Sequence, residues 1–244
     1  MKKIFIVLLS VFTLVTYAQE SVLLRLNYHK GDQFEMKMNV SQEMGAVMSM
    51  DINMTMSMDI TSVTDDEYTS DMKIASMKMD MSQAGNKMSF DSKMKDDELD
   101  EAGKMLKSKM GGLMSAVISA KGNNLGEVLE TTVEPNIPGA SDMMNQSGKV
   151  VFPKEAVKVG DTWDMKQSQN GMDLNFIYKV ISIEKESVKL EVSGTIGGMA
   201  EGTLSGNMHI DRASGNPINS LVNMEMTLQG QKMTTIATAT MVKK

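Results

Sequence analysis

His29 and His209 are the only imidazoles in the chain, they stand far apart in sequence, and no Cys is present. The side chains that most often serve as base, nucleophile or transition-metal ligand are therefore almost missing. No G-x-S-x-G elbow, H-E-x-x-H helix, phosphate-binding Walker loop or G-x-G-x-x-G turn occurs. Each of those spacings exists because its chemistry needs groups placed that way, so nucleophilic, zinc-hydrolytic and nucleotide chemistry lose their usual machinery. Asp and Glu total 31, which leaves paired carboxylates available, but aromatic residues make up 5% and offer few platforms for a sugar substrate. An EF-hand counted from Asp96 puts Glu101 at the sixth position, where the loop needs Gly. We read the chain as non-enzymatic, with no cofactor and no metal site among its acids and imidazoles.

Thioethers are what the chain has in abundance: 28 Met, against 6 Phe, 4 Tyr and 1 Trp. From Phe34 to Ile60 the even positions read Phe, Met, Met, Val, Gln, Met, Ala, Met, Met, Ile, Met, Met, Met, Ile, and the odd ones are nearly all polar. A period of two is the signature of a strand, and it gathers Met48, Met50, Met54, Met56 and Met58 on one face. Met77 and Met79 extend the set into the next run, and these seven are the candidate ligand-binding residues. Three chemistries suit such a face. It is a plain core, since flexible Met fills irregular gaps, or a deformable surface that repacks around a lipid or other hydrophobic molecule. The third is ligation of copper(I), since Met48/Met50, Met54/Met56/Met58 and Met77/Met79/Met81 set soft sulfurs two residues apart. We carry the lipid-like ligand forward, with an envelope structural or interaction protein and a copper(I)-binding protein as alternatives.

The elements that must position this face are mostly strands. The alternation predicts two long strands joined near Gly45, then a third over Tyr68 to Met81 whose phase slips between Ile74 and Met77, as a β-bulge causes. Between Asp96 and Met110 the apolar spacing changes to three and four, which predicts one helix near 96–110 with Gly111-Gly112 as its stop. Leu113 to Ala120 and Leu125 to Thr131 read as a hairpin turning at 121–124. Beyond a Pro-, Gly- and Ser-containing stretch at 134–149, strands are predicted at 162–169, 172–184, 187–196, 203–211, 218–228 and 232–241, with turn residues such as Asn170-Gly171 and Ser214-Gly215-Asn216 between them. The expected fold is mainly β: long antiparallel strands forming a curved sheet, an incomplete barrel or two packed sheets, with one helix.

Lys2 and Lys3, the apolar run Ile4 to Val15 and the small residues Thr16 and Ala18 read as a signal peptide over 1–18. The layout expected is then a β unit with the helix at 19–133, a linker or long loop at 134–149 and a second β unit at 150–244. Export places the protein in the periplasm of a Gram-negative envelope or outside the cell, and no later stretch is apolar enough for a membrane helix. The net charge of -6 argues against a nucleic-acid partner, because phosphate binding rests on clustered cations.

An internal echo runs through the chain. Gly31-Asp32-Gln33-Phe34-Glu35-Met36-Lys37 matches Gly160-Asp161-Thr162-Trp163-Asp164-Met165-Lys166, and Ile60-Thr61-Ser62-Val63 matches Val180-Ile181-Ser182-Ile183. Gly-Asp makes a turn, and the aromatic, Phe34 or Trp163, is the first buried knob of each ladder. With the signal peptide, the Met ladder, the helix and Phe152-Pro153 followed by Val157-Lys158-Val159-Gly160-Asp161-Thr162-Trp163, the chain resembles an uncharacterised exported family common in Bacteroidetes, known as a domain of unknown function. That resemblance implies an exported location and carries over no catalytic residue. A curved sheet with a helix is also similar, at the level of fold alone, to periplasmic lipoprotein carriers and related lipid-binding half-barrels.

Overall fold

The computed structural model describes residues 20–137, 150–169, 171–228 and 230–244. The predicted signal peptide and most of the predicted linker lie outside the described residues. The strands are β1 (Ser21–Val22), β2 (Gln33–Met44), β3 (Met48–Val63), β4 (Glu67–Gln83), β5 (Asn86–Asp91), β6 (Val117–Asn123), β7 (Val128–Glu134), β8 (Val157–Lys158), β9 (Thr162–Gln169), β10 (Met172–Ile183), β11 (Ser187–Gly198), β12 (Ala200–Asp211), β13 (Pro217–Leu228) and β14 (Gln231–Lys243). One α-helix, α1 (Glu101–Ser115), falls between β5 and β6.

Twelve of the strands form one open antiparallel sheet in the order β7-β6-β4-β3-β2-β14-β13-β12-β11-β10-β9, with β5 paired beside β4. Strands β7 and β9 are its two edges, and β14 joins the first ladder to the second by pairing with β2 over Thr234–Lys243. β1 and β8 pair separately. The period-two pattern fixes the register, because a slip of one residue would turn the Met face to water. The phase slip expected before Met77 is a bulge: Thr55 faces Ser76 while Met56 faces Ile74, leaving Ala75 without an opposite residue.

The echo in sequence is an echo in geometry. Gly31 N–H donates to the Ile60 carbonyl and Ile60 N–H to the Asp32 carbonyl, at 2.8 and 2.9 Å; Gly160, Val180 and Asp161 repeat both bonds at 2.8 and 2.9 Å. The Asp32 carboxylate accepts from His29 N–H at 3.0 Å, as Asp161 accepts from Lys158 N–H at 2.9 Å. Both glycines have φ near +90°, which only Gly adopts without strain. The same residue is then bulged in each copy, Thr61 after Ile60 and Ile181 after Val180. The five-strand meander β2-β3-β4-β6-β7 thus recurs as β9-β10-β11-β12-β13, and β5 with α1 is an insertion where the second copy turns directly from β11 into β12.

One end of the sheet is tied together by residues 24–28. Leu26 N–H donates to the Asn124 carbonyl and Asn27 N–H to the Ser214 carbonyl, each at 2.8 Å. Strands β4, β3, β2 and β14 lie between those two turns, roughly 25 Å of flat sheet at about 4.8 Å per strand. Two adjacent amides span the gap, so the strand ends at this base are drawn toward each other while the sheet edges stay unpaired. Tyr28 fills the space inside. Its ring meets Phe34 at 5.5 Å and Tyr68 at 4.8 Å, both edge-on, and its hydroxyl donates to Asn216 Oδ1 at 2.7 Å. Burial, with the neighbouring Tyr68 and Asp32, pushes the Tyr28 phenol pKa upward.

The helix differs from its expected bounds. Asp96–Glu98 form only a 3-10 turn, Asp100 caps α1 by accepting from Gly103 N–H at 2.7 Å, and α1 continues through Gly111-Gly112 to Ser115. Each Gly costs a helix interior about 1 kcal/mol. Continuing buries Leu113 and sets Met114 against the sheet core, and a fully buried Leu contributes about 2 kcal/mol or more, so packing overrides the stop signal. The hairpin after it is also shifted: β6 runs through Asn123 and the turn falls at 124–127.

Candidate ligand-binding face

All seven predicted residues lie on one face of β3 and β4, in rows that cross the strands. Phe34 faces Met58 and Met58 faces Met72; Met36 faces Met56 and Met56 faces Ile74; Met38 faces Met54 and Met54 faces Met77. Next come Val40, Ile52, Met79 and Phe90, then Gln42, Met50, Met81 and Met88, and at the hairpin tips Met44 and Met48. On β2 to β5 and β14 the residues in phase with these Met include no charged side chain until Lys243 at the base, which bridges Asp32 at 2.7 Å. Burial pushes the Asp32 carboxyl up, but the bonds from Lys243 and from His29 N–H outweigh it and hold it below the usual carboxylate range.

The structure divides the seven. Met56, Met58 and Met77 are buried at 8%, 7% and 3% exposure and are ordinary core. Met56 and Met77 pack with Ile74, Phe90 and Leu113 under α1, whose Leu106, Met110 and Met114 complete the cover; Met58 packs with Phe34 and Ile60. Met54 lies at the margin of the helix-covered cluster. Met48, Met50 and Met79 are half-buried and belong to no buried cluster among the described residues, and Met38, Val40, Ile52, Met81 and Met88 share that state. Together these eight form an open apolar shelf between the α1 cluster and a second one of Ile196, Ala200, Met226 and Met233. Gln42 stands beside it and donates to Thr235 Oγ1 at 3.3 Å.

Met88 was missed by the sequence reading because β5 was not expected. The signal was the short alternation Lys87-Met88-Ser89-Phe90 behind Ala84-Gly85, whose positive φ values of 49° and 84° make the tight turn between β4 and β5. Trp163 is half-buried rather than a fully buried knob. It stacks on Tyr178 at 5.3 Å and donates from Nε1 to the Val151 carbonyl at 2.9 Å. Burial pushes the Tyr178 phenol pKa upward.

The opposite face of the same strands carries a depression of about 400 Å³ lined by Lys37, Asn39, Asn53, Lys78 and Lys93 with Thr238 and Thr240. Met38, Met54, Met77, Ala239 and Asp91 also line it, so the hollow is mixed rather than apolar, and its lysines are largely compensated: Lys37 meets Glu35 at 3.5 Å and Lys78 meets Asp80 at 3.1 Å. His29 is exposed and sits 3.7 Å from Asp32, while His209 lies on β12 opposite Asn219. Among the described residues no three or more His, Cys, Asp and Glu gather as a metal site, and no helix is long and apolar enough to cross a membrane.

These features define a class: an open, mainly antiparallel β sheet with one helix laid on a charge-free, thioether-lined face. Residues 139–240, short of half the chain, match DUF6263, a family of unknown function. Among solved structures the chain is similar to a lipovitellin chain from work on lipid–protein interactions in lipovitellin, with a TM-score of 0.54 at 10% identity. The likeness covers 89% of this chain and 25% of that one, so this chain spans about a quarter of its match, and it shows the fold alone. No curated protein matches the chain.

Proposed function

We propose that the protein is an exported, non-enzymatic binder of an apolar, lipid-like ligand, held on the methionine shelf of β2 to β5. The observation that carries this is the shelf itself: eight half-buried apolar side chains, Met38, Val40, Met48, Met50, Ile52, Met79, Met81 and Met88, on strands whose inward phase holds no charge above the base. Leaving such a surface open costs free energy in proportion to its area, about 25 cal/mol for each Å² that a ligand could cover. Met accommodates varied acyl shapes because it is unbranched and has three rotatable bonds. The similarity in fold to lipovitellin, whose structure concerns lipid–protein interactions, agrees with this reading. Export is supported by Lys2, Lys3, the Ile4 to Val15 run and the small residues Thr16 and Ala18.

A titration of the delipidated protein with a fluorescent fatty acid tests the shelf. Saturable binding is expected, and Met79→Lys, which introduces a charge at a half-exposed position, should weaken it without unfolding the protein. Absence of acyl binding by the folded parent overturns the proposal. Mass measurement of protein from the envelope fraction tests export: the expected chain starts at Gln19, and a retained Met1 refutes it.

A further inference from the structure

We propose that Met50, Met81 and Met88 form a thioether site for a soft monovalent cation, copper(I) or its redox-inert analogue silver(I). The sequence sets sulfurs two apart along single strands, but the register brings them together across strands. Met50 faces Met81 on β4, and Met81 faces Met88 on β5. Side chains directly opposite in an antiparallel pair have Cβ atoms about 5 Å apart. Three sulfurs arranged around one ion at about 2.3 Å, as metal–sulfur bonds run, stand about 4 Å from one another. Met50 and Met88 flank Met81 two strand spacings apart, about 10 Å, so both flexible side chains must swing toward the central Met81 to close the site.

The neighbouring three-Met row, Met38, Met54 and Met77, is built the same way but is used by the core: Met77 is buried, and Met54 packs in the α1 cluster. The Met50 row is half-buried and outside every buried cluster among the described residues, so it is reachable from solvent and free to change rotamer. Met48 lies two residues along β3 on the same face but faces Gln83, so it stands outside the row. Selectivity follows from what surrounds the row. On β2 to β5 Gln42 is its one polar member, opposite Met50, with Thr235 beyond it on β14, and no carboxylate shares the face there. Hard divalent cations need charged oxygen ligands and are refused, whereas a cuprous ion prefers neutral soft sulfur.

The test is competition between the folded protein and bicinchoninate for copper(I) under anaerobic, reducing conditions, with silver(I) titration followed by the ε-methyl NMR signals of the methionines. The expected result is capture of copper(I) by the parent, a loss of about tenfold or more in affinity in Met81→Leu, and no change in Met56→Leu, which alters a buried core sulfur. Met-to-Leu exchanges conserve volume and cost under about 1.5 kcal/mol, so both variants should fold. Silver(I) should shift the methyl signals of Met50, Met81 and Met88 before any others. Failure of the parent to compete, affinity unchanged in Met81→Leu, or first shifts at other methionines would each overturn the site. None of these results depends on acyl binding, so the two proposals fail separately.

Discussion

Replacing Tyr28 by Phe removes one oxygen and leaves the ring that packs against Phe34 and Tyr68 in place. The oxygen lost is the donor to Asn216 Oδ1 at 2.7 Å, and Asn216 is 2% exposed with an Nδ2 that already has no partner. The variant thus strands a whole buried amide, which costs about 2 kcal/mol where a buried acceptor is left unmade. The pH dependence has a definite sign. Burial raises the Tyr28 phenol pKa, so the folded protein keeps a proton that the unfolded chain releases above about pH 10. The stability due to that proton is intact below about pH 10 and declines above it at about 1.4 kcal/mol per pH unit. Phe has no proton to lose. Tyr68 and Tyr178 titrate in both proteins and cancel, so the 2 kcal/mol gap should close and the two stabilities cross near about pH 11.5. Urea unfolding followed by Trp163 fluorescence between pH 7 and 11.5 measures this. A gap that stays constant with pH, or no gap at pH 7, would refute the account of the base.

Other substitutions test other parts of the fold. Trp163→Ala removes the stack on Tyr178 and the bond to Val151 and should cost about 3 kcal/mol in chemical denaturation, as truncating a large packed aromatic does. Ala84→Gly relieves a non-Gly residue at φ 49° and should raise stability by about 0.5–1 kcal/mol, seen as a higher melting temperature. Gly206→Ala drives a Cβ into the Leu221 carbonyl oxygen of β13, so the strands must part and the protein should lose about 3 kcal/mol in urea unfolding. Lys243→Gln removes the partner that holds the Asp32 carboxyl low. The stability this contributes is present above about pH 4 and lost on further acidification, so acid titration of the variant should show a smaller decline there.

The strands were legible because alternation is local. β9, β10 and β13 fall within a residue of the pattern, and the bulge at Ala75 appears as a slip in phase. What could not be read locally is which strand lies beside which. Nothing in Thr234–Lys243 says that it pairs with β2, since that register is set by burial across the sheet. The same limit applies to the site. The seven Met share one face, as alternation implies, but whether a given Met is core or surface depends on where α1 lies, and α1 outran its Gly-Gly signal because Leu113 and Met114 found a core. Met50, Met81 and Met88 become neighbours only through two hairpins, one of which turns at Ala84-Gly85 with Ala in the first central position, where Asn, Asp or Gly usually stands.

The position of β14 bears on how the chain reaches this fold. The strand that bridges the two ladders comes last among the described residues and pairs with one near the beginning, so the longest loop closure in the molecule completes the sheet. Until Gln231–Lys243 is made, β2 and β13 are both raw edges, and β2 carries the Met alternation that invites pairing with another chain. Contacts of such high order form slowly. A chain threaded across a membrane before it folds would have all of its strands present when closure begins, whereas one folding from its N-terminus as it is synthesised would hold an open edge throughout. The keystone strand thus favours folding only once Gln231–Lys243 has been made, and it makes these thirteen residues a point at which a deletion would do great harm.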